Sequence, residues 1–126
     1  MVTKGFPSQK QKNESRDLLM KKYSVRILHA AWEELAQIEV WYLLKFDTDT
    51  ALKVSSSILS TIERLELFPD SGVLTPDDDL NKAGYRMVIC KYHGAVYKSV
   101  GNRVYIYHIF DMRRDYSGLF ADLREA

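Results

Sequence analysis

A single cysteine in 126 residues leaves no partner for an intrachain disulfide, so the chain suits a reducing cytoplasm. That residue, Cys90, falls inside a strand pattern and reads as a small buried hydrophobe rather than a nucleophile. No apolar run approaches the roughly 20 residues needed to cross a bilayer. The basic N-terminus also lacks the apolar segment of a signal peptide, so no membrane partner is expected. Nor is there a Cys/His cluster at metal-ligand spacing or a phosphate-cradling glycine loop, and neither metal nor cofactor is expected. Asp77, Asp78 and Asp79 are consecutive and cannot all face one ion, so they read as a solvated loop.

What is present fits one small packed domain, with 46% hydrophobic and 28% charged residues. The net charge of +1 conceals an uneven distribution. Residues 1–22 carry Lys4, Lys10, Lys12, Arg16, Lys21 and Lys22 without periodicity and read as a flexible extension, within which Met20 resembles an alternative start. The middle is acidic, and the final third turns basic again with Arg86, Lys91, Lys98, Arg103, Arg113 and Arg114.

From Tyr23 the pattern becomes regular, and residues 23–126 are expected to form the domain. Residues 23–28 alternate as a half-buried strand. Trp32, Leu35, Ile38 and Tyr42, widened by Ala31 and Val40, mark the buried stripe of a helix. Asp47 offers an N-cap for a second helix, whose apolar face is Ala51, Val54, Ile58, Ile62 and Leu65 and which Pro69 stops. Residues 72–84 read as an acidic loop. Strands are expected at 85–91, 95–100 and 103–110, the last two joined by a tight Gly101-Asn102 turn. Alternation in the last strand places Val104, Ile106, His108 and Phe110 on one face and Tyr105, Tyr107 and Ile109 on the other. The order β-α-α-β-β-β predicts an α+β domain, a helical hairpin packed on a small, mostly antiparallel sheet.

The last strand ends in Arg113-Arg114-Asp115-Tyr116. Strand ends lie at sheet rims, where functional side chains converge without disturbing a core. Two guanidiniums match phosphate or carboxylate, and Tyr116 adds a stacking face and a hydroxyl. The plainer alternative is a surface arginine pair bridged to Asp115.

The element order and this motif, with Tyr23-Ser24-Val25-Arg26-Ile27, Ala30-Ala31-Trp32-Glu33-Glu34-Leu35, Leu65-Glu66-Leu67-Phe68-Pro69 and Tyr85-Arg86-Met87-Val88, resemble the RelE/ParE superfamily of bacterial toxin–antitoxin systems. The resemblance covers roughly residues 23–120. It implies a toxin neutralised by a cognate antitoxin, in a 2:2 complex. RelE-like members cut ribosome-bound mRNA, and ParE-like members poison DNA gyrase. Where many relatives have His-Gly before the arginines, this chain has Asp111-Met112. An arginine common in RelE-like nucleases falls on Gly94, and the lysine pair of RelE has only Arg86 and Lys91 as counterparts.

Cleavage through the 2′-OH needs a proton acceptor, a proton donor and positive charge at phosphorus. The leading expectation is therefore a metal-independent, ribosome-dependent endoribonuclease with Arg113 and Arg114 on phosphate. His93 and Tyr116 would assist, and Arg86 and Lys91 would hold RNA. His108 reads as a satisfied histidine at the core edge, and His29 as capping or packing at the start of the first helix. Trp32 reads as core, and Trp41, off the stripe, as surface for an antitoxin. The alternatives are a gyrase poison without RNase activity and an inactive antitoxin-binding co-repressor.

Overall fold

The computed structural model describes Thr3, Lys4 and residues 22–125. Six strands form one sheet in the order β1-β2-β6-β5-β4-β3. They are β1 (Thr3–Lys4), β2 (Ser24–Leu28), β3 (Val73–Leu74), β4 (Tyr85–Cys90), β5 (His93–Val100) and β6 (Arg103–Asp111). Only β2 and β6 pair in parallel, so the expected α+β, mostly antiparallel sheet is present. The extension expected over residues 1–22 lies mostly outside the described residues, although Thr3–Lys4 pairs with the end of β2.

One sheet face carries the helical hairpin of α1 (His29–Lys45) and α2 (Thr48–Glu63). Asp47 caps α2 by accepting from the Thr50 N–H at 2.7 Å, which holds its carboxyl below the usual range. Ala51, Ile58 and Ile62 on α2, with Leu65 in the 3-10 turn after it, pack with Ala31 and Leu35 of α1 against Val25, Ile27, Val104 and Ile106. The stripe on α1 is narrower than its spacing suggested. Val40 is exposed and faces neither the core nor the cleft.

The other sheet face is covered too, which alternation alone did not reveal. Residues 72–84 form β3 and a short helix, α3 (Asp78–Lys82), rather than a loop. Asp77 caps α3 by accepting from the Leu80 N–H at 3.0 Å, so the acidic triplet is a helix start that seats buried Leu80. A C-terminal helix, α4 (Ser117–Glu125), adds Phe120 and Leu123 to a second core with Tyr85, Met87, Val96 and Phe110. An Arg124–Asp77 ion pair joins α4 to α3.

The expected face assignment fails in the second half of β6. Val96 opposes His108 and Tyr97 opposes Ile106, which leaves Tyr107 as an extra residue in a β-bulge. Beyond it Ile109 joins the helix-side core with Val104 and Ile106, whereas Phe110 enters the second core.

Tyr97 ties the end of the hairpin to the sheet. Its buried hydroxyl accepts from the Gly72 N–H at 2.9 Å and donates to the Pro69 carbonyl at 2.7 Å. Burial pushes its phenol pKa up. A Cβ on Gly72 would lie 2.5 Å from that hydroxyl and 2.7 Å from the Met87 carbonyl oxygen. Tyr97→Phe strands the buried Gly72 N–H and the part-buried Pro69 carbonyl and should cost about 1–3 kcal/mol. Gly72→Ala should cost at least as much, because backbone as well as a core ring must move. Urea denaturation of both variants measures this, and a loss under about 0.5 kcal/mol for both would exclude the tie.

Candidate functional site

The end of β6, the last turns of α1 and the start of α4 enclose a half-open cleft of about 750 Å³. Glu34, Gln37, Ile38, Trp41 and Tyr42 line it at helical i, i+3, i+4 spacing, so a second face of α1 forms one wall. His93, Ile109, Phe110 and Asp111 supply the floor, and Arg114, Asp115, Tyr116, Leu119 and Asp122 the opposite wall.

Glu34 holds α1 onto the bulged strand. Its carboxylate accepts from the Ile109 N–H at 3.0 Å and lies 3.0 Å from His108 Nδ1. His108 is therefore a satisfied histidine at the edge of the core. His29 begins α1 without capping it and pairs with Glu33 at 3.0 Å.

Arg113 is restrained from three sides. Its Nε and Nη2 donate to the two oxygens of Asp111 at 3.0 and 2.7 Å, and Nη2 also donates to the Tyr42 hydroxyl at 3.1 Å. The guanidinium stands 4.4 Å over the Tyr92 ring. Asp111 also accepts from the Arg113 N–H at 2.9 Å. These bonds hold the Asp111 carboxyl below its ordinary range and push Arg113 further up. Asp115, the acid of the plainer bridged-pair alternative, instead accepts from the N–H and hydroxyl of Ser117 at 3.0 and 2.7 Å. The Arg114 guanidinium lies 6.0 Å from the centre of the Trp41 ring and makes no hydrogen bond or ion pair with any described residue, while its backbone N–H donates to the Asp111 carbonyl at 3.1 Å.

His93 is 4% exposed and lies edge-on to Tyr42 with 5.8 Å between ring centres. Desolvation lowers its pKa against the opposing pull of Asp111, and Arg113 lowers it further. Its Nε2 is buried and has no hydrogen-bond partner among the described residues. A neutral, covered imidazole is poorly suited to protonate a leaving oxygen.

Four of the named residues thus gather here: Arg114, Tyr116 and His93 in the cleft, with Arg113 beside it. Tyr116 stacks on Phe110 at 4.7 Å, which fixes its ring in the wall. Arg86 is elsewhere, donating to the Gly72 carbonyl at 3.0 Å. Lys91 occupies the β4–β5 turn with φ of 56°, a left-handed position, and does not line the cleft. Gly94 lies against the ring of Phe110, where a Cβ would come within 2.9 Å. An arginine at that position would displace Phe110. Among the described residues no group of three or more His, Cys, Asp or Glu could hold a metal ion. No helix of the described residues is long and apolar enough to cross a membrane.

Comparison with known proteins fits this architecture. The family model described as ParE toxin of type II toxin-antitoxin system, parDE, matches residues 25–116. The chain belongs to the ParE toxin family. A solved chain of the chromosomal ParDE TA system from P. aeruginosa superposes with a TM-score of 0.62 at 18% identity, covering 72% of this chain and 97% of that one. That likeness shows a shared fold. No curated protein matches. Membership in a ParE toxin family implies a cognate antitoxin as partner.

Within this ParE-family site, sequence reasoning missed Asp111, Tyr42 and Tyr92 as partners of Arg113. An acid two residues before the arginine was the available signal for Asp111. Tyr42 is 71 residues away and had none.

A histidine whose folded pKa is lowered binds fewer protons than in the unfolded chain. His93 should therefore withdraw stability as pH falls through and below the ordinary histidine value of 6.5. Thermal melts from pH 8 to 5 should show a decline that His93→Phe reduces. An identical pH slope in the variant would remove His93 as its source.

Proposed function

We propose that this ParE-family chain is a gyrase-directed toxin that acts by binding, not an mRNA endonuclease. The observation that carries this reading is the grip of Asp111 on both arms of Arg113, which occupies the guanidinium an RNA phosphate would need. The surroundings point the same way. Glu34, Asp111, Asp115 and Asp122 line the cleft against Arg114, with Arg113 beside it, so a polyanion meets more negative than positive charge. His93 is buried and held toward neutrality, and Gly94 leaves no room for the arginine of RelE-like nucleases.

A partner protein finds a more suitable surface. Trp41 stands at the cleft rim, and Leu44 and Phe46 are exposed further along the hairpin. Buried aromatic and apolar anchors of this kind dominate protein interfaces. In the complete assignment residues 23–126 are the toxin domain, residues 1–22 an extension, the compartment the cytoplasm, and the antitoxin complex 2:2.

Brief induction without antitoxin tests the reading. Cleaved DNA trapped on gyrase, with transcripts intact, is the expected outcome, and Arg113→Ala should leave transcript ends unchanged. New 5′ ends inside translated codons that vanish with Arg113→Ala would overturn it in favour of the nuclease.

A further inference from the structure

The Arg113 surroundings form an anion receptor that is already filled. The Nε and Nη2 arms of its fork and its own backbone N–H converge at the end of β6, and Nη2 also donates to the Tyr42 hydroxyl. Arg114 follows immediately and lines the cleft, and its guanidinium has no hydrogen bond or ion pair to any described residue. Beside them Tyr92 is 55% exposed and presents an aromatic face at the mouth of the β4–β5 turn. Two guanidiniums, a directed backbone N–H and an exposed ring are what a single-stranded nucleic acid uses: charge for phosphate and a π-face for a base. The group at the focus of these donors is the chain's own carboxylate.

We propose that Asp111 is an internal anion masking a two-arginine phosphate site, so that residue 111 decides whether this sheet end binds single-stranded nucleic acid. Asp111 is tethered two residues from the guanidinium it fills. Its effective concentration at the site is therefore far above that of any free phosphate, and an external phosphate must displace it rather than enter a vacant fork. Strand register strengthens the hold. Asp111 pairs across the ladder with His93, and the bulge at Tyr107 turns it to the side of the sheet where Tyr42 stands.

Removing the charge while keeping the shape should open the site. In Asp111→Asn the side-chain oxygen still accepts from the Arg113 N–H, which preserves the turn, but the fork loses its anion. Glu34 stays engaged by His108 and the Ile109 N–H, and Asp115 by Ser117. Asp122 remains at the cleft, which limits the gain. An increase in affinity of about tenfold is expected, the order of one charge-assisted pair.

The test measures anisotropy of a short fluorescent single-stranded RNA titrated with the full chain at low salt. Asp111→Asn should bind about tenfold more tightly than the parent, with a steeper salt dependence. Asp111→Asn combined with Arg113→Ala should return to the parental level. In the parent background Arg113→Ala bares the Asp111 carboxylate, so binding should not rise. Equal affinity of folded Asp111→Asn and parent would overturn the proposal, as would a gain that survives loss of Arg113. A rise in parental binding on Arg113→Ala alone would do the same, and this arm holds even if Asp111→Asn does not fold. The proposal shares the Asp111–Arg113 pair with the functional reading but not its target. Missing gyrase complexes would leave the RNA result intact, and an unchanged Asp111→Asn would leave gyrase trapping intact.

Discussion

The rest of the molecule depends on one surplus residue in β6. With Tyr107 bulged out of the ladder, Ile109, Phe110 and Asp111 are turned to the opposite face from strict alternation, while His108 still reaches Glu34 on α1. Ile109 reaches the helix-side core, Phe110 the second core, and Asp111 the side on which α1 stands. A strictly alternating strand would send Ile109 and Asp111 away from α1 and Phe110 toward it. The bulge also leaves a backbone N–H, that of Ile109, pointing at the helix, and Glu34 satisfies it. The geometry of the cleft follows from that correction of phase.

Burial on both faces gives this sheet end its rigidity. Phe110 packs between Tyr116 and Phe120, and Gly94 on the neighbouring strand provides the space for its ring. Helix α4 is thereby anchored through an aromatic cluster, and the turn carrying Arg113 and Arg114 is fixed at both ends. Such a turn presents side chains on a stiff frame, as recognition requires, because little entropy remains to be lost on binding.

A fold of this kind hosts more than one activity, so the site must decide. On the proposed reading, what separates a phosphate clamp from a protein-binding rim here is a single carboxylate. Arginine does not titrate in the accessible range, so only a competing anion can remove it from use. Asp111 does that, and the carboxylates around the cleft add repulsion that a basic C-terminal third would not suggest.

Much of the fold was legible in the chain. The helical spacing of Ala51, Ile58 and Ile62, the Asp47 cap and the Gly101-Asn102 turn are local patterns with local causes, and they specify the hairpin, the strands and the β-α-α-β-β-β core. The arginine pair and its strand-end position were legible for the same reason. The bulge was not, since a one-residue slip in pairing leaves no compositional trace. Helix α4 was not anticipated either, and Asp77–Asp79 read as a loop because their capping role depends on Leu80 having a core to enter. The partners of Arg113 were decided only by tertiary structure. Tyr42 and Tyr92 arrive from distant elements, and Asp111 faces Arg113 because the bulge turned it there. Local physics sets which elements form and which residues end a strand. Long-range packing sets which charge meets which, and that is where function is decided.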